Sequence, residues 1–258
     1  MTAFQPDTSL PADVMPSPNH GERQGVTAPD MIILHYTGMP RADEALERLC
    51  SAASEVSAHY MIFEDGRIVQ CVPETRRAWH AGVSFWAGAS DLNSHSIGIE
   101  IDNPGHEYGY VAFPDRQIDA VIALCRDVIA RRRIDPRRVL AHSDVAPTRK
   151  MDPGEKFPWQ KLFGAGIGDW APPAPKRRRT ITPASDADTI SAWQRDLARY
   201  GYDVPVTGIY DEQTAAVVRA FQRHFRPKRV DGVADAGTQA MLEGLLAKAA
   251  PGASAQGS

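Results

Sequence analysis

In the first half of the chain, short apolar runs alternate with short polar segments. Residues 31–34 are continuously apolar, which predicts a buried strand that ends at His35. Two further runs, residues 58–63 and 68–72, are separated by a turn that contains an Asp-Gly pair. Because Asp-Gly favours the tight turn that joins antiparallel strands, these runs predict a hairpin.

Helical spacing is found between and after the strands. Residues 43–53 predict a short helix, and residues 114–134 predict a long amphipathic helix that begins with proline. Residues 96–101 and 139–141 predict two more strands, the second of which enters a dense polar loop at 142–154. We therefore predict an α/β domain with a mixed central sheet flanked by helices and a site along one sheet edge.

The C-terminal third has a different composition. Residues 171–186 are rich in proline, basic residues, serine and threonine, as in a semi-stiff linker. A Gly-x-x-Asp-x-x-Thr pattern then occurs at 208–214 and again at 232–238, and each Asp can cap the helix-like stretch that follows. We predict three segments: an α/β domain at 1–170, a linker at 171–187 and a small all-α three-helix domain at 188–250.

Charge and composition exclude several classes of protein. The chain has 29 Lys and Arg against 32 Asp and Glu, so it lacks the positive excess with which nucleic-acid-binding proteins neutralise phosphates. No apolar run approaches the roughly 20 residues that cross a bilayer, which predicts no membrane span. The three cysteines form no Cys-x-x-Cys pair, which argues against a disulfide framework or a Cys-rich zinc site.

The N-terminal segment bears on the compartment. Residues 1–25 are rich in Pro, Ser and Asp and lack the basic start and apolar stretch of a secretory signal. This favours the cytoplasm, with the periplasm or cell envelope as open alternatives. Composition leaves the oligomeric state open.

Two histidines and an aspartate are candidates for a metal site. His35 ends the first buried strand, and His142 and Asp152 lie in one polar loop. If the two strands are neighbours, these side chains would supply the three protein ligands that zinc hydrolases use. A histidine at a strand end is also commonly a structural residue, so the spacing alone leaves both interpretations open.

Glu100 is a candidate of another kind. It lies inside an otherwise apolar segment, where burying a charge is costly unless the charge has a hydrogen-bond or ion-pair partner or a catalytic role. Alternation places the three isoleucines of 96–101 on one face and Gly98 and Glu100 on the other. A strand with one solvated face and a catalytic carboxylate fit this pattern equally well.

Five short motifs follow one another along the predicted α/β domain. They are Ile33-Leu34-His35-Tyr36-Thr37-Gly38, Val56-Ser57-Ala58-His59-Tyr60, Ala78-Trp79-His80-Ala81-Gly82, Ser96-Ile97-Gly98-Ile99-Glu100, and Ala141-His142-Ser143-Asp144 through Lys150-Met151-Asp152-Pro153-Gly154. In this order they resemble the motifs of zinc-dependent N-acetylmuramoyl-L-alanine amidases of the amidase-2 type. That family shares its fold with peptidoglycan recognition proteins, and the resemblance covers roughly residues 15–165.

The resemblance implies a role for each candidate. His35, His142 and Asp152 would be the ligands of Zn²⁺. Glu100 would take a proton from the attacking water and pass it to the leaving amine. Lys150 would stabilise the negative charge that develops on the tetrahedral intermediate.

Other marked residues have weaker implied roles. Trp79 and His80 resemble positions that line the substrate groove, and Asn93 precedes the Glu100 strand where substrate could pass. Packing or a turn explains these three equally well. His59 is expected to support His35 in the sheet rather than to bind metal. Three histidines are predicted at the surface: His20, His106 and His224.

The tail resembles the small three-helix peptidoglycan-binding domain often attached to wall hydrolases. The similar residues are Leu197-Ala198-Arg199-Tyr200-Gly201-Tyr202, Val206-Thr207-Gly208-Ile209-Tyr210-Asp211, Phe221-Gln222 and Val230-Asp231-Gly232. Such a domain would act as a tether that raises the effective concentration of the catalytic site on the polymer.

Together the resemblances imply zinc-dependent hydrolysis of the amide bond between N-acetylmuramic acid and L-alanine. The main alternative is a non-catalytic peptidoglycan recognition protein, which would be expected to lack a metal ligand. The N-terminal composition favours soluble anhydro-muropeptides as substrate, whereas the tail favours intact peptidoglycan, and both remain open at this point.

Overall fold

The computed structural model of the chain describes residues 4–172 and 179–249. The predicted linker is described only in part, because residues 173–178 lie outside these ranges, as does residue 250 of the predicted three-helix domain. Within the described ranges, no helix combines the length and the apolar character needed to cross a membrane.

Short strands and a mixed sheet form the centre of the fold. The strands are β1 (Asp13–Val14), β2 (His20–Gly21), β3 (Met31–Tyr36), β4 (Tyr60–Ile62), β5 (Ile68–Gln70), β6 (Arg77–Ala78), β7 (Ser96–Ile101) and β8 (Val139–Ala141). Six of them form one sheet in the order β1-β5-β4-β7-β3-β8, and β2 pairs with β6 in a separate ribbon.

Both parallel and antiparallel pairs occur in this sheet, as predicted. β4 and β5 form the predicted antiparallel hairpin, whose turn contains Gly66 with a φ of 87°. β4, β7, β3 and β8 are parallel neighbours. β1 was not predicted, because two paired residues in a proline-rich segment are too short to show a period.

The helices cover the sheet and form the C-terminal region. They are α1 (Ala42–Cys50), α2 (Leu92–His95), α3 (Asp115–Arg132), α4 (His142–Val145), α5 (Trp159–Gly164), α6 (Ala187–Tyr200), α7 (Glu212–Phe225) and α8 (Ala236–Ala249). The long predicted amphipathic helix is α3, and α1 ends three residues before its predicted end because the chain continues in a 3₁₀ turn.

The two faces of the sheet are covered by different elements. The isoleucines at 97, 99 and 101 form one apolar cluster with the buried side of α3, as the alternation in β7 predicted. On the opposite face, Met31 and Ile33 share a cluster with Leu197 and Phe221 from the C-terminal helices. The three-helix region therefore packs against the sheet, and it completes part of the core.

The sequence repeat has a structural explanation. Asp211 accepts a hydrogen bond from Thr214 N at 2.9 Å, and Asp235 accepts one from Thr238 N at 2.7 Å, so both predicted caps are confirmed. Buried Gln222 then accepts from Gly232 N at 2.8 Å, where the glycine has a φ of 75°. The repeated Gly and Thr positions thus organise the turns between helices.

Glu74 is a buried carboxylate that joins the sheet to α3. It has no exposed surface and accepts hydrogen bonds from Tyr60 at 2.6 Å, Arg131 at 2.7 Å and Arg132 at 2.5 Å. Burial disfavours its charged form, but the hydrogen bonds from Arg131, Tyr60 and Arg132 outweigh burial and lower the pKa of Glu74.

This arrangement predicts an acid-sensitive contribution to stability. Glu74→Gln should lower the free energy of unfolding by about 3 kcal/mol at neutral pH, because it removes one partner of a buried ion pair. Since the folded pKa lies below the unfolded value, the wild-type contribution should be lost as pH falls below about 4. Urea unfolding across this range measures both effects, with exposed Glu47→Gln as the control. An equal acid dependence in wild type and Glu74→Gln would contradict the assignment.

Candidate metal centre and active site

The register of three neighbouring parallel strands brings the candidate residues together. His35 in β3 pairs with Glu100 in β7, and Leu34 pairs with Ala141, the last residue of β8. His142 follows directly as the first residue of α4. The carboxyl ends of the strands therefore place both histidines and Glu100 at one edge of the sheet, as the sequence predicted.

His35, His142 and Asp152 form one buried cluster that could hold a metal ion. His35 Nδ1 lies 2.9 Å from His142 Nδ1 and 3.1 Å from Asp152 Oδ2, and the last two atoms are 2.9 Å apart. Ligand atoms at tetrahedral zinc, with bonds of about 2.1 Å, would stand roughly 3.4 Å apart. The cluster is slightly tighter than this, and its two nitrogens and one oxygen are an ordinary zinc donor set.

The hydrogen-bond network assigns the tautomer of His142. Its Nε2 lies 3.2 Å from the carbonyl oxygen of Ala81, which can only accept. Nε2 therefore carries the proton in the neutral ring, and Nδ1 presents its lone pair to the cluster. Such a bond from the outer ring nitrogen is the usual support of a metal-bound histidine.

A longer chain of hydrogen bonds assigns the tautomer of His35. The Ser96 hydroxyl donates to the Leu92 carbonyl, so its oxygen accepts from His80 Nε2 at 3.2 Å. His80 Nδ1 is then an acceptor, and it receives the proton of His35 Nε2 at 3.0 Å. This leaves His35 Nδ1 with a free lone pair that points at His142 and Asp152.

The surroundings favour the neutral His35 ring that a bound cation requires. Burial, with His142 nearby, lowers the pKa of His35 to about 4. The hydrogen bonds to Ala81 and His80 place both ring protons on Nε2, so two imidazole lone pairs face the Asp152 carboxylate, an arrangement that a bound cation would satisfy.

Glu100 faces the same edge and is half-buried. Its Oε2 is buried and lacks a hydrogen-bond partner among the described residues. Burial, reinforced by Asp152, raises the pKa of Glu100 well above its usual value, and Lys150 opposes this increase. Gly98 on the same face is buried against the His80 ring, so the alternative of a strand with one solvated face is wrong, and Glu100 has the environment of a proton-transferring carboxyl group.

A cleft of about 690 Å³ opens onto this cluster. The predicted groove residues Trp79 and His80 line it, together with Glu100 and Lys150. Asn93 is not among the lining residues: it is buried, and its side-chain oxygen accepts from the backbone of His80 at 3.0 Å and Ala81 at 2.8 Å. Its position is that of a support for the groove wall rather than of the predicted substrate contact.

Histidines outside the cluster occupy different positions from one another. His59 is fully buried in the sheet region, where its Nδ1 accepts from Gly98 N at 3.0 Å, and it is not in the metal cluster. His106 lines the cleft between Tyr36 and Glu155, at 3.0 and 3.1 Å. His224 is only 2% exposed. The surface prediction is therefore wrong for His224, and it missed the cleft position of His106.

Sequence comparison agrees with this geometry. The sequence model of the Amidase_2 family, N-acetylmuramoyl-L-alanine amidase, matches residues 25–155. The chain belongs to the N-acetylmuramoyl-L-alanine amidase family. A second model, of a peptidoglycan binding domain, matches residues 186–242 of this amidase.

Two groups of curated relatives are similar to the amidase. The N-acetylmuramoyl-L-alanine amidase AmiD of Escherichia coli (strain K12) is 43% identical over 234 residues, which cover 84% of this chain and 82% of AmiD. The 1,6-anhydro-N-acetylmuramyl-L-alanine amidase AmpD of Enterobacter cloacae is 30% identical over 165 residues, 57% of this chain and 86% of AmpD.

Solved structures of amidases share the fold over most of the chain. Escherichia coli AmiD, in complex with anhydro-N-acetylmuramic acid-L-Ala-D-gamma-Glu-L-Lys, has a TM-score of 0.72 at 39% identity, covering 89% of this chain and 98% of AmiD. AmpDh3 of Pseudomonas aeruginosa, in complex with anhydromuramic pentapeptide, has a TM-score of 0.72 at 32% identity, covering 96% of this chain and 99% of AmpDh3.

The tautomer chain predicts a role for His80 in metal affinity. His80→Phe removes the acceptor of the His35 proton, so the amidase should bind a divalent metal ion, with Zn²⁺ as the probe, about 10- to 100-fold more weakly. His80→Gln offers a side-chain oxygen as acceptor and should retain more of the affinity. Competition with a chromophoric chelator measures both, and His95→Phe, at the last residue of α2, is the control. Equal affinities for the Phe and Gln variants would contradict the assignment.

Proposed function

We propose that this amidase uses Zn²⁺ held by His35, His142 and Asp152 to hydrolyse the amide bond between N-acetylmuramic acid and L-alanine. The observation that carries the proposal is the buried His-His-Asp cluster, which shares one cleft with Glu100, whose buried Oε2 has no hydrogen-bond partner among the described residues. All three proposed ligands are present, so the alternative of a recognition protein that lacks a ligand is not favoured.

Each proposed residue has a chemical task. Bound zinc polarises a carbonyl group and acidifies water, which are the properties that amide hydrolysis needs. Glu100 accepts a proton from the attacking water and delivers it to the nitrogen of L-alanine as the carbon–nitrogen bond breaks. The Lys150 ammonium group lies close enough to Glu100 to affect its pKa, and it stabilises the negative charge that develops on the carbonyl oxygen.

We infer that anhydro-muropeptides are among the substrates. Two solved relatives with similarity over most of this chain hold an anhydromuramic peptide in their structures. The match of residues 186–242 to a peptidoglycan binding domain supports action on larger wall fragments as well. The cytoplasmic location, which was inferred from the N-terminal composition, stays a prediction.

The proposal predicts separate effects on metal binding and turnover. Glu100→Gln keeps the side-chain shape but cannot accept the proton, so the rate of hydrolysis should fall about 10²- to 10⁴-fold. Zinc content should stay at the wild-type level because Glu100 is not one of the proposed ligands. Mass spectrometry of an anhydro-muramyl tripeptide digest measures turnover, and elemental analysis of the same sample measures zinc.

Chelator treatment provides the matching test of the metal. The wild-type chain should release free stem peptide only when zinc is present, and adding zinc back should restore release. Cleavage that persists without metal would contradict the zinc proposal. A zinc-loaded chain that binds the peptide without cutting it would instead indicate a recognition protein.

A further inference from the structure

Asp144 is a buried carboxylate beside the metal cluster. It lies two residues after His142 in α4 and is 1% exposed. Its Oδ2 accepts a hydrogen bond from the backbone of Ala141, the last residue of β8, at 2.9 Å. This bond fixes the first turn of α4 on the strand that delivers His142.

Two side chains of the three-helix region complete the hydrogen bonds of this carboxylate. The Tyr202 hydroxyl donates to Asp144 Oδ1 at 2.7 Å, and His224 Nδ1 donates to Asp144 Oδ2 at 2.7 Å. Both side chains are buried, with exposures of 1% for Tyr202 and 2% for His224. The His224 ring also stacks on Trp159, with ring centres 3.7 Å apart. These buried contacts would be absent if the three-helix region were joined to the α/β domain by a flexible linker alone.

A second contact of the three-helix region is with the loop that binds the Nε2 side of His142. Gly201 approaches the Trp86 ring so closely that a Cβ atom there would lie 2.7 Å from it, and its carbonyl accepts from Ala87 N at 2.9 Å. The loop that carries Trp86 also provides the Ala81 carbonyl that accepts from His142 Nε2. The three-helix region thus contacts both segments that orient His142.

We propose that Tyr202 and His224 are positioning residues of the metal centre, acting through Asp144 on His142. The three-helix region, whose sequence match indicates only peptidoglycan binding, is then also a structural part of the catalytic site. This inference rests on the proposed function in that it takes Zn²⁺ to be the metal.

The physical reason is the cost of a buried carboxylate that has lost its donors. Without Tyr202 or His224, Asp144 must move towards water or towards another donor, because an unpaired buried charge is strongly unfavourable. Asp144 and His142 lie in the same single turn of helix, so any such movement shifts His142 Nδ1. Metal affinity is sensitive to shifts of this kind, since ligand atoms must remain within a few tenths of an ångström of their places.

The test uses two tyrosine variants of the full chain that make the same chemical change. Tyr202→Phe removes the hydroxyl that bonds Asp144, and Tyr210→Phe removes a buried hydroxyl that bonds Gly232 O at 2.8 Å within the three-helix region. Tyr202→Phe should weaken Zn²⁺ binding about tenfold, the scale of lost outer-shell support, and Tyr210→Phe should leave it unchanged. The visible spectrum of the Co²⁺-loaded chain should change in the first variant only.

A pair of His224 variants tests the second donor. His224→Leu removes the hydrogen bond and should weaken Zn²⁺ binding, whereas His224→Gln can still donate and should recover part of the affinity. A general loss of stability would affect both variants, and it would leave the Co²⁺ spectrum of the folded fraction unaltered.

Reciprocal coupling provides a measurement that needs no variant. If docking of the three-helix region favours zinc, zinc must favour docking by the same factor. Added Zn²⁺ should therefore slow amide hydrogen exchange in α7, which contains His224, and leave exchange in α1 unchanged.

The outcomes separate this inference from the proposed function. A wild-type chain that does not bind Zn²⁺ would overturn the zinc proposal itself. A wild-type chain that binds Zn²⁺, with Tyr202→Phe and His224→Leu binding it equally well, would overturn the positioning role alone. Equal weakening by Tyr210→Phe would also overturn it, because the effect would then be one of overall stability.

Discussion

The whole site depends on the parallel pairing of β7, β3 and β8. This pairing sets His35 opposite Glu100 and places Ala141, the end of β8, opposite Leu34, so that His142 begins α4 at the same edge. A shift of one residue in either pair would turn a ligand or the carboxyl group to the opposite face of the sheet. The apolar contacts of β7 with α3 therefore maintain the geometry of the site, because they fix which face of the sheet each β7 residue occupies.

Burial shifts the pKa values of His35 and Glu100, and hydrogen bonds determine which ring nitrogen of His35 and His142 carries the proton. An isolated histidine at this depth would merely lose its charge. Here the Ala81 carbonyl holds the outer proton of His142, and His80 holds that of His35, so both lone pairs face Asp152. Among the described residues, the buried Oε2 of Glu100 has no hydrogen-bond donor, and burial raises the pKa of Glu100 whereas it lowers that of His35. One small cleft thus contains groups prepared for metal binding and a group prepared for proton transfer.

The C-terminal helices are more than an attachment to the catalytic domain. They share an apolar cluster with β3 and β8, and they supply both side-chain donors to the carboxylate that anchors α4. The region that matches a peptidoglycan binding domain is thus in direct contact with the helix that carries His142. This arrangement gives a physical reason for keeping both domains in one chain.

The sequence by itself determined the features that depend on neighbouring residues. Apolar runs and alternation located β3, β7, β8 and α3, the Asp-Gly pair located the hairpin, and the Asp-x-x-Thr spacing located two helix caps. The motif order, through the resemblance to a family, indicated the metal ligands and Glu100, since His35 ends a patterned strand, Glu100 lies inside another, and His142 and Asp152 lie in the loop that follows a third. Tertiary structure decided what depends on residues far apart in the chain. Asn93 supports the groove from behind, His224 is buried against Asp144, and His80 sets the tautomer of His35. No local pattern contains that information, because burial and hydrogen-bond partners are created only when separate segments pack together.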